Sequence, residues 1–552
     1  MMFKFYFIKE LGTTKPSIRN HKISLLLGLM CCSGVATKAQ SITVNTTDYK
    51  QTIDMVGGDM ERSSKVVQFT VQNKQDVIDW GFKDIHFNYC RVQFDKTQEL
   101  EEGTKNWASY ERQVATMKDV KAVNPNIKFY ATMRSDYDGY GNENNMPDWI
   151  VNYNTKAVNT DKYAIFLADY LEFMHNEGVT IHTLATAKEW GAFVTATVSR
   201  DIILKLQQEC QTRNIPMPLI NDPGSWSMAA GLSFMNSVDN LGTKDLYTAF
   251  SSHEYASNDI PEQEWPTLVA KAQSLGKKLY QDETITGVSN TGEVPVFRYA
   301  QRAVLYQSGL SGEIFFEIWS RGVNSEIRPI YWKWGGTASR LNGYYLIKHF
   351  ANNVLDSQYI TSTAQNVIGG AVSATQYGGI TTMAFRKGNK VMLWVMNFTS
   401  PSLSTVDYPS MTFTIENSTI VGDVENVYWN TGSAIEGTAA SITPASSTSF
   451  QTEIKENSIN VFTFTVNDNP LSTNNAGTID TDFRVITDSL HHELVFNKPL
   501  QSFKIVNISG AIIQTGKDEI SKLNISAFSE GVYVLQGVTS ENKQVTYKFV
   551  KR

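Results

Sequence analysis

The chain has 552 residues, of which 41% are hydrophobic, so it can bury a large core. Its length exceeds what one domain normally holds, and two or three domains are expected. The formal net charge of -6 lacks the basic surplus of a nucleic-acid-binding protein and excludes that class of partner.

Residues 1–39 predict a secretory signal peptide. Scattered lysines and an arginine precede an apolar run at 24–36, and Thr37-Lys38-Ala39 supplies a cleavage site. The run is too short to span a membrane. No small residue of a lipoprotein processing site stands just before Cys31 and Cys32, which disfavours a lipid anchor.

Residues 53–355 alternate short apolar runs with amphipathic helical patterns, which predicts a (β/α)8 TIM barrel. The predicted strands are Ile53–Met60, Ile85–Phe94, Ile127–Ser135, Ile181–Glu189, Pro218–Asp222, Leu246–Tyr255, Lys277–Glu283 and Glu313–Trp319. Predicted helices include Lys162–Met174, which Gly178 ends as a left-handed cap, Val198–Cys210 and Arg340–Val354. Cys90 and Cys210 have no disulfide or metal-ligand spacing, so buried, inert thiols are expected.

After Asp356 the pattern changes to strict apolar–polar alternation with frequent Gly, Ser and Thr. We therefore predict a β-sandwich over 356–466, which the N-terminal strand within 40–52 could join. Residues 467–480 are typical of a linker. Residues 481–552 predict a small C-terminal β domain, so the fold class is α/β plus all-β.

Two glutamates, Glu189 and Glu283, end the fourth and seventh predicted strands. A parallel barrel gathers its chemistry at the carboxyl ends of its strands, so acidic residues there favour a function. Retaining glycoside hydrolysis requires two carboxyl groups about 5 to 5.5 Å apart, and strands four and seven can supply them. Alternation along strand seven places Leu279 and Gln281 on the inward face below Glu283.

Two other carboxylates compete with this pair. Glu317 shares the parity of Trp319 and could support the site as a neighbour of the catalytic residues. Glu313 lies lower in its strand, where a structural salt bridge is expected.

Other ligand sites are disfavoured by spacing. Gly57-Gly58 lacks the third glycine or lysine of a phosphate-binding loop. Asp136, Asp138 and Asn142 match no calcium loop. We expect no metal or organic cofactor.

Several motifs together resemble glycoside hydrolase family 30, of clan A, over about residues 41–466. They are Ile53-Asp-Met-Val-Gly-Gly-Asp-Met60, Tyr89-Cys-Arg91, Ala131-Thr-Met-Arg134 with Met146-Pro-Asp-Trp149, His253-Glu-Tyr255 and Phe316-Glu-Ile-Trp319. The resemblance implies a barrel with an attached sandwich, Glu189 as acid/base and Glu283 as nucleophile. It also implies a sugar subsite shaped by Arg91, His253, Tyr255 and Trp319.

Aromatic side chains in or after the strand ends suit stacking on a sugar ring. They are Trp149, Trp190, Trp226, Trp319, Trp332 and Trp334. Trp149 is the further candidate for contact with the substrate.

Lys188 departs from the family pattern, which has Asn before the acid/base to hydrogen-bond the sugar 2-hydroxyl. Loss of that bond can cost several kcal/mol of transition-state stabilisation. Lys188 could instead bind a carboxylate or sulfate on the substrate, or it could mark a site that has drifted from catalysis.

The C-terminal domain resembles the type IX secretion sorting domain. The resemblance lies in Gly531-Val-Tyr533 and the basic end at 548–552. It implies the type IX secretion machinery as a partner and a secreted or cell-surface location.

The sequence thus predicts a secreted retaining glycoside hydrolase that cleaves β-glycosidic bonds of an extracellular polysaccharide. One alternative is a non-catalytic carbohydrate-binding or adhesive surface protein on the same fold. Another is a structural surface protein in which the pocket is incidental. The sugar, the linkage and the exo or endo mode depend on the loops after the strands.

Overall fold

The computed structural model describes residues 40–134, 144–257, 259–286, 294–323, 327–367, 378–399, 406–468, 482–488, 492–507, 511–541 and 543–551. The predicted signal peptide, the segment with Asp136, Asp138 and Asn142, and most of the predicted linker lie outside these residues. Among the described helices, none combines the length and the apolar character that crossing a membrane requires.

Eight parallel strands close into a barrel in chain order, so the predicted TIM barrel is confirmed. They are β1 (Met55–Asp59), β2 (Tyr89–Phe94), β3 (Lys128–Met133), β4 (Ile181–Leu184), β5 (Leu219–Ser225), β6 (Ala249–Ser252), β7 (Lys278–Ile285) and β8 (Gly312–Phe316). The barrel closes where Gly312 of β8 pairs with Met55 of β1. A Cβ atom on Gly312 would lie 2.1 Å from the Met55 carbonyl oxygen, so this closure requires glycine.

Amphipathic helices follow the strands and pack their apolar faces on the barrel. The described helices are α1 (Val67–Thr70), α2 (Lys74–Phe82), α3 (Glu111–Val123), α4 (Thr160–Asn176), α5 (Ala196–Arg213), α6 (Met228–Leu241), α7 (Pro261–Ser274), α8 (Val296–Ser308) and α9 (Asn342–Val354). Asn159 and Thr195 cap α4 and α5 with side-chain hydrogen bonds. Gly178 has a φ of 77°, as predicted for the left-handed residue after α4.

One layer of side chains fills the lower part of the barrel. It consists of Met55, Tyr89, Tyr130, Ala185, Ala249, Tyr280 and Ile314. Cys90 and Cys210 are buried and unpaired, as expected. Because this layer closes the barrel floor, any pocket inside the barrel lies above it, at the carboxyl ends of the strands.

Nine strands beyond the barrel are hydrogen-bonded in one continuous sheet. They are the N-terminal strand (Ser41–Thr52), β9 (Gln358–Gln365), β10 (Gly378–Lys387), β11 (Lys390–Thr399), β12 (Tyr408–Glu416), β13 (Ser418–Trp429), β14 (Thr438–Ile442), β15 (Ser449–Ile454) and β16 (Ser458–Asp468). The N-terminal strand lies between β9, antiparallel to it, and β12, parallel to it.

This sheet folds back over its own core. The rings of Phe450 on β15 and Phe462 on β16, from distant positions in the strand order, lie 5.4 Å apart. The other face of the sheet packs on the barrel, where Trp394 stacks on Tyr299 of α8 at 5.2 Å. Buried side chains of the barrel and of this sheet therefore form one continuous core, which holds the barrel against the sheet.

A separate sheet forms the C-terminal part of the chain. Its strands are β17 (Val485–Asp488), β18 (Glu493–Asn507), β19 (Ile512–Gly516), β20 (Ile520–Asn524), β21 (Gly531–Thr539) and β22 (Gln544–Lys551). It has its own apolar core, in which Tyr533 stacks on Phe549 at 5.5 Å.

Candidate active site

Glu189 lies on a loop, so the prediction that it ends strand four is wrong. The strand stops at Leu184 because Asp222 of β5 accepts hydrogen bonds from the Thr186 amide at 2.7 Å and the Thr186 hydroxyl at 2.6 Å. The Glu189 amide then donates to the Gly224 carbonyl at 2.8 Å, and Glu189 adopts a φ of 54°. Asp222 and Gly224, near the carboxyl end of β5, thus position Glu189.

Asp222, which the sequence analysis did not single out, anchors the loop that carries Glu189. Burial raises its pKa to about 6, although the Ser199 and Thr186 hydroxyls donate to it and lower the pKa. Asp222 is buried from solvent, and its hydrogen bonds hold the loop that carries Glu189.

Strand β7 contains a bulge that overturns the predicted alternation. Gln281 pairs with Glu313 of β8, but Thr284 pairs with Phe315, so three steps on β7 oppose two on β8. Tyr280, rather than Leu279, faces the barrel interior, and Leu279 packs in the outer core. The bulge lets the consecutive residues Asp282 and Glu283 both turn toward the pocket.

Glu189, Asp282 and Glu283 form what we call the carboxylate cluster, with His253 of the segment after β6 at its centre. One oxygen of Glu189, one of Glu283 and a ring nitrogen of His253 all lie within 4.8 Å of one another. His253 Nδ1 lies 2.7 Å from Glu189 Oε1, and His253 Nε2 lies 3.1 Å from Asp282 Oδ1. Structure therefore brings together the two glutamates that the sequence singled out.

His253 is a cation in this setting. Burial alone would lower its pKa, but the carboxylates of Glu283, Asp282 and Glu189 outweigh burial and raise it to about 10. Both ring nitrogens then donate, one to Glu189 and one to Asp282.

Glu283 is surrounded by cations and donors. Arg91 Nη2 donates to Glu283 Oε2, Arg91 Nε to Asp59, and the Tyr255 hydroxyl to Glu283 Oε1 at 3.2 Å. Burial would raise the pKa of Glu283, but Arg91, Lys188 and His253 hold it well below its usual range. Glu283 is therefore held in its ionised form, as is Asp282, whose pKa His253 and Arg91 lower against the effect of burial.

Lys188 is buried and pairs with Glu61, a residue that sequence reasoning missed. Its Nζ donates to both Glu61 oxygens at 2.8 and 2.7 Å and lies 3.7 Å from Glu283 Oε2. Burial would lower the pKa of Lys188, but the two glutamates raise it. The rule that selected Glu189 could have found Glu61, because Glu61 follows the carboxyl end of β1 by two residues.

Trp319 does not line the pocket, contrary to the role that the resemblance implied. It is fully buried and packs edge-to-face on Phe82 at 5.3 Å, against Gly81 of α2. The chain leaves β8 at Phe316 and turns the indole behind the barrel wall. Trp319 is a core residue.

Trp149 is partly buried, and its indole nitrogen donates to the Glu99 carbonyl at 2.9 Å. No described contact joins it to the carboxylate cluster. Trp226 is 39% exposed, and its ring lies 5.0 Å from that of Tyr255. Of these two tryptophans, Trp226 is the one that the structure links to Glu283, through Tyr255.

The competing carboxylates have structural partners. Glu317 accepts hydrogen bonds from Arg328 at 3.2 Å, and Glu313 accepts one from Arg302 at 2.7 Å. Glu313 therefore makes the expected structural salt bridge.

Glu189, His253 and Glu283 are also the one described group that could hold a metal ion. Metal binding by His253 would require loss of a proton and of one of its two contacts with carboxylates. The arrangement suits proton transfer and nucleophilic attack better than metal binding.

Comparison with protein families identifies the C-terminal sheet. Residues 486–552 match the family described as "Secretion system C-terminal sorting domain". These residues are a type IX sorting domain. The protein is therefore secreted or located at the cell surface, and the type IX secretion machinery is its partner in export.

The rest of the fold resembles solved glycoside hydrolases. A family 30 subfamily 8 xylanase from Clostridium acetobutylicum is 15% identical, with a TM-score of 0.56 over 77% of this chain and 99% of that one. The catalytic domain of a family 30 xylanase from Talaromyces cellulolyticus is 15% identical, with a TM-score of 0.57 over 77% and 100%. An endo-β-1,6-glucanase is 14% identical, with a TM-score of 0.53 over 77% and 93%.

At these identities the likeness shows a glycoside hydrolase-like fold. A sequence search of curated proteins gives no match.

Proposed function

We propose that this protein is a secreted retaining glycoside hydrolase that cleaves β-glycosidic bonds of an extracellular polysaccharide by double displacement. Glu189 is the acid/base and Glu283 the nucleophile. The observation that carries the proposal is the approach of their carboxyl oxygens to within 4.8 Å at the carboxyl end of the barrel. Retaining enzymes hold their two carboxyl groups about 5 to 5.5 Å apart, and inverting enzymes hold them further apart to admit a water.

Glu283 suits nucleophilic attack because it is ionised and oriented. Arg91 and Tyr255 each donate to one of its oxygens, which fixes the plane of the carboxylate. In the first step Glu283 attacks the anomeric carbon and forms a glycosyl ester, while the bond to the leaving oxygen breaks.

Glu189 suits proton transfer because His253 occupies only one of its oxygens. His253 Nδ1 donates to Oε1, so Oε2 can carry the proton that passes to the leaving oxygen. In the second step the same carboxylate accepts a proton from water as that water attacks the ester.

A non-catalytic carbohydrate-binding protein is the second candidate, favoured by the ion pair of Lys188 and Glu61. This pair occupies the position before the acid/base where the family has an amide. Lys188 is only 2% exposed and already pairs with Glu61, which disfavours the idea that it binds an anionic group of the substrate.

The test is hydrolysis of xylans, β-glucans and charged polysaccharides by the mature protein, by Glu283→Ala and by Glu111→Ala, whose glutamate is exposed on α3. Release of reducing sugar by the wild type and Glu111→Ala, and its loss in Glu283→Ala, supports the proposal. The first-formed product must also keep the β configuration by NMR, since inversion contradicts double displacement. A silent panel with polysaccharide binding by all three proteins supports the second candidate.

A further inference from the structure

Two large aromatic side chains are exposed at the carboxyl end of the barrel, outside the carboxylate cluster. Trp334 is 60% exposed and Phe69 is 45% exposed. Their rings meet edge-to-face, with centroids 5.4 Å apart. Single exposed apolar residues are ordinary, but two exposed aromatic rings in contact form a surface on which a ligand ring can stack.

The backbone around Trp334 is firmly held. The Trp334 amide donates to the Gly322 carbonyl at 2.8 Å, and the Gly335 amide donates to the Thr70 carbonyl at 2.7 Å. The buried indole of Trp332 donates to the Thr70 hydroxyl at 3.0 Å. Trp334 is therefore displayed in a fixed position, and a ligand that stacks on it spends little free energy on ordering the loop.

The position of this aromatic pair relates it to the cluster. Phe69 belongs to the segment after β1 and Trp334 to the segment after β8, and these strands are neighbours in the barrel. Both segments thus lie on the rim of the face that carries Glu189 and Glu283. Trp226 follows β5, which is opposite β1 in the ring of eight, so exposed aromatic surface flanks the cluster on two sides.

The surroundings of the pair favour a sugar as the ligand. The Arg112 guanidinium lies over Phe69, 4.2 Å from the ring centroid, while the Trp334 indole that meets Phe69 edge-to-face remains 60% exposed. Gln68 and Lys74 both hydrogen-bond Asp119 nearby, which surrounds the pair with polar groups. Sugar rings combine an apolar C–H face with polar hydroxyl edges, whereas the centre of a protein interface is depleted of charge.

We propose that Trp334, supported by Phe69, is a distal glycan-binding subsite, and that the protein binds a polysaccharide across the barrel face and cleaves it internally. This inference rests on the proposed function for its cleavage step. The binding step stands independently, because it requires only that a glycan stacks on Trp334.

The experiment compares the wild type with Trp334→Ala, Trp334→Phe and Leu204→Ala, a control that removes a 44% exposed apolar side chain from α5. Affinity electrophoresis in gels that contain each soluble polysaccharide measures binding. Rates on polysaccharide and on aryl glycosides measure cleavage. We expect Trp334→Ala to weaken polysaccharide binding by about tenfold and to raise KM for polysaccharide by a similar factor. Rates on aryl glycosides should not change. Trp334→Phe should retain most of the binding, and Leu204→Ala all of it.

Several results overturn the inference. One is that Trp334→Ala binds polysaccharide as tightly as the wild type. Another is that no polysaccharide retards the wild-type protein in the gel. A change in oligomeric state of Trp334→Ala on sedimentation, with glycan binding intact, assigns the pair to self-association. If Trp334→Ala loses binding while the wild type hydrolyses no substrate, the subsite stands and the proposed catalysis fails.

Discussion

Replacement of Lys188 by Met should destabilise the barrel strongly, because Lys188 is buried and is the ion-pair partner of a buried carboxylate. Glu61 is fully buried and receives two hydrogen bonds from Lys188, at 2.8 and 2.7 Å. Without Lys188, the cation that the described ion pairs leave beside the Glu61 carboxylate is Arg91, whose Nη2 lies 3.4 Å away.

The size of the loss follows from that remaining partner. Breaking a buried ion pair from one side costs about 3–5 kcal/mol, because an uncompensated charge remains. Arg91 compensates part of the charge on Glu61, so we expect the lower end, about 3 kcal/mol. The double variant Lys188→Met with Glu61→Leu removes both charges and should recover about 2 kcal/mol of that loss.

Urea denaturation of the full mature chain, followed by tryptophan fluorescence, measures these free energies of unfolding. The two single variants and the double variant complete a thermodynamic cycle. A loss below about 1 kcal/mol for Lys188→Met would match a surface pair and refute the buried-pair reasoning. Additive effects of the two substitutions would also refute it.

Three further predictions concern other parts of the barrel. His253 binds a proton in the folded state that an unfolded histidine loses near pH 6.5, so its stabilisation is complete below that pH and is lost as pH rises through about 10. Asp282→Asn should reduce this loss, measured as the difference in unfolding free energy between pH 6.5 and 10, and an unchanged difference would contradict the assignment. Gly81→Ala should cost about 1–3 kcal/mol in urea denaturation, because its Cβ would lie 2.7 Å from the rigid Trp319 indole and outweigh a helix-propensity gain of about 1 kcal/mol. Asp222→Asn should cost about 1–3 kcal/mol and lower kcat, since it replaces Oδ2, which accepts from the Thr186 and Ser199 hydroxyls, with an amide donor; an unchanged kcat would show that the loop needs no such anchor.

The barrel could be predicted because its signal is local. Each strand is a short apolar run and each helix has an amphipathic period, so the alternation along 53–355 defines the fold without knowledge of any long-range contact. The helices α4 and α5 extend their predicted ranges by only two or three residues at each end.

The site was less predictable because contacts between distant residues set it. Strand β4 ends where it does because Asp222, 36 residues later, takes the Thr186 amide. The bulge in β7 changes which side chains face inward, and no residue type in Lys278–Ile285 predicts it. Trp319 is buried because Gly81, far earlier in the chain, leaves room for its ring.

The placement of the N-terminal strand has a consequence for biosynthesis. Ser41 pairs with Thr412 of β12, and Thr46 bonds the Glu416 carbonyl, 370 residues away along the chain. At a synthesis rate of about 5–20 residues per second, the strand waits roughly 20–75 s for that partner. An unpaired strand that is apolar on one long face would invite association with other nascent chains. This one carries only Ile42 and Val44 as buried apolar residues and has Asp48 and Lys50 further along, a composition suited to remaining unpaired until the sheet can accept it.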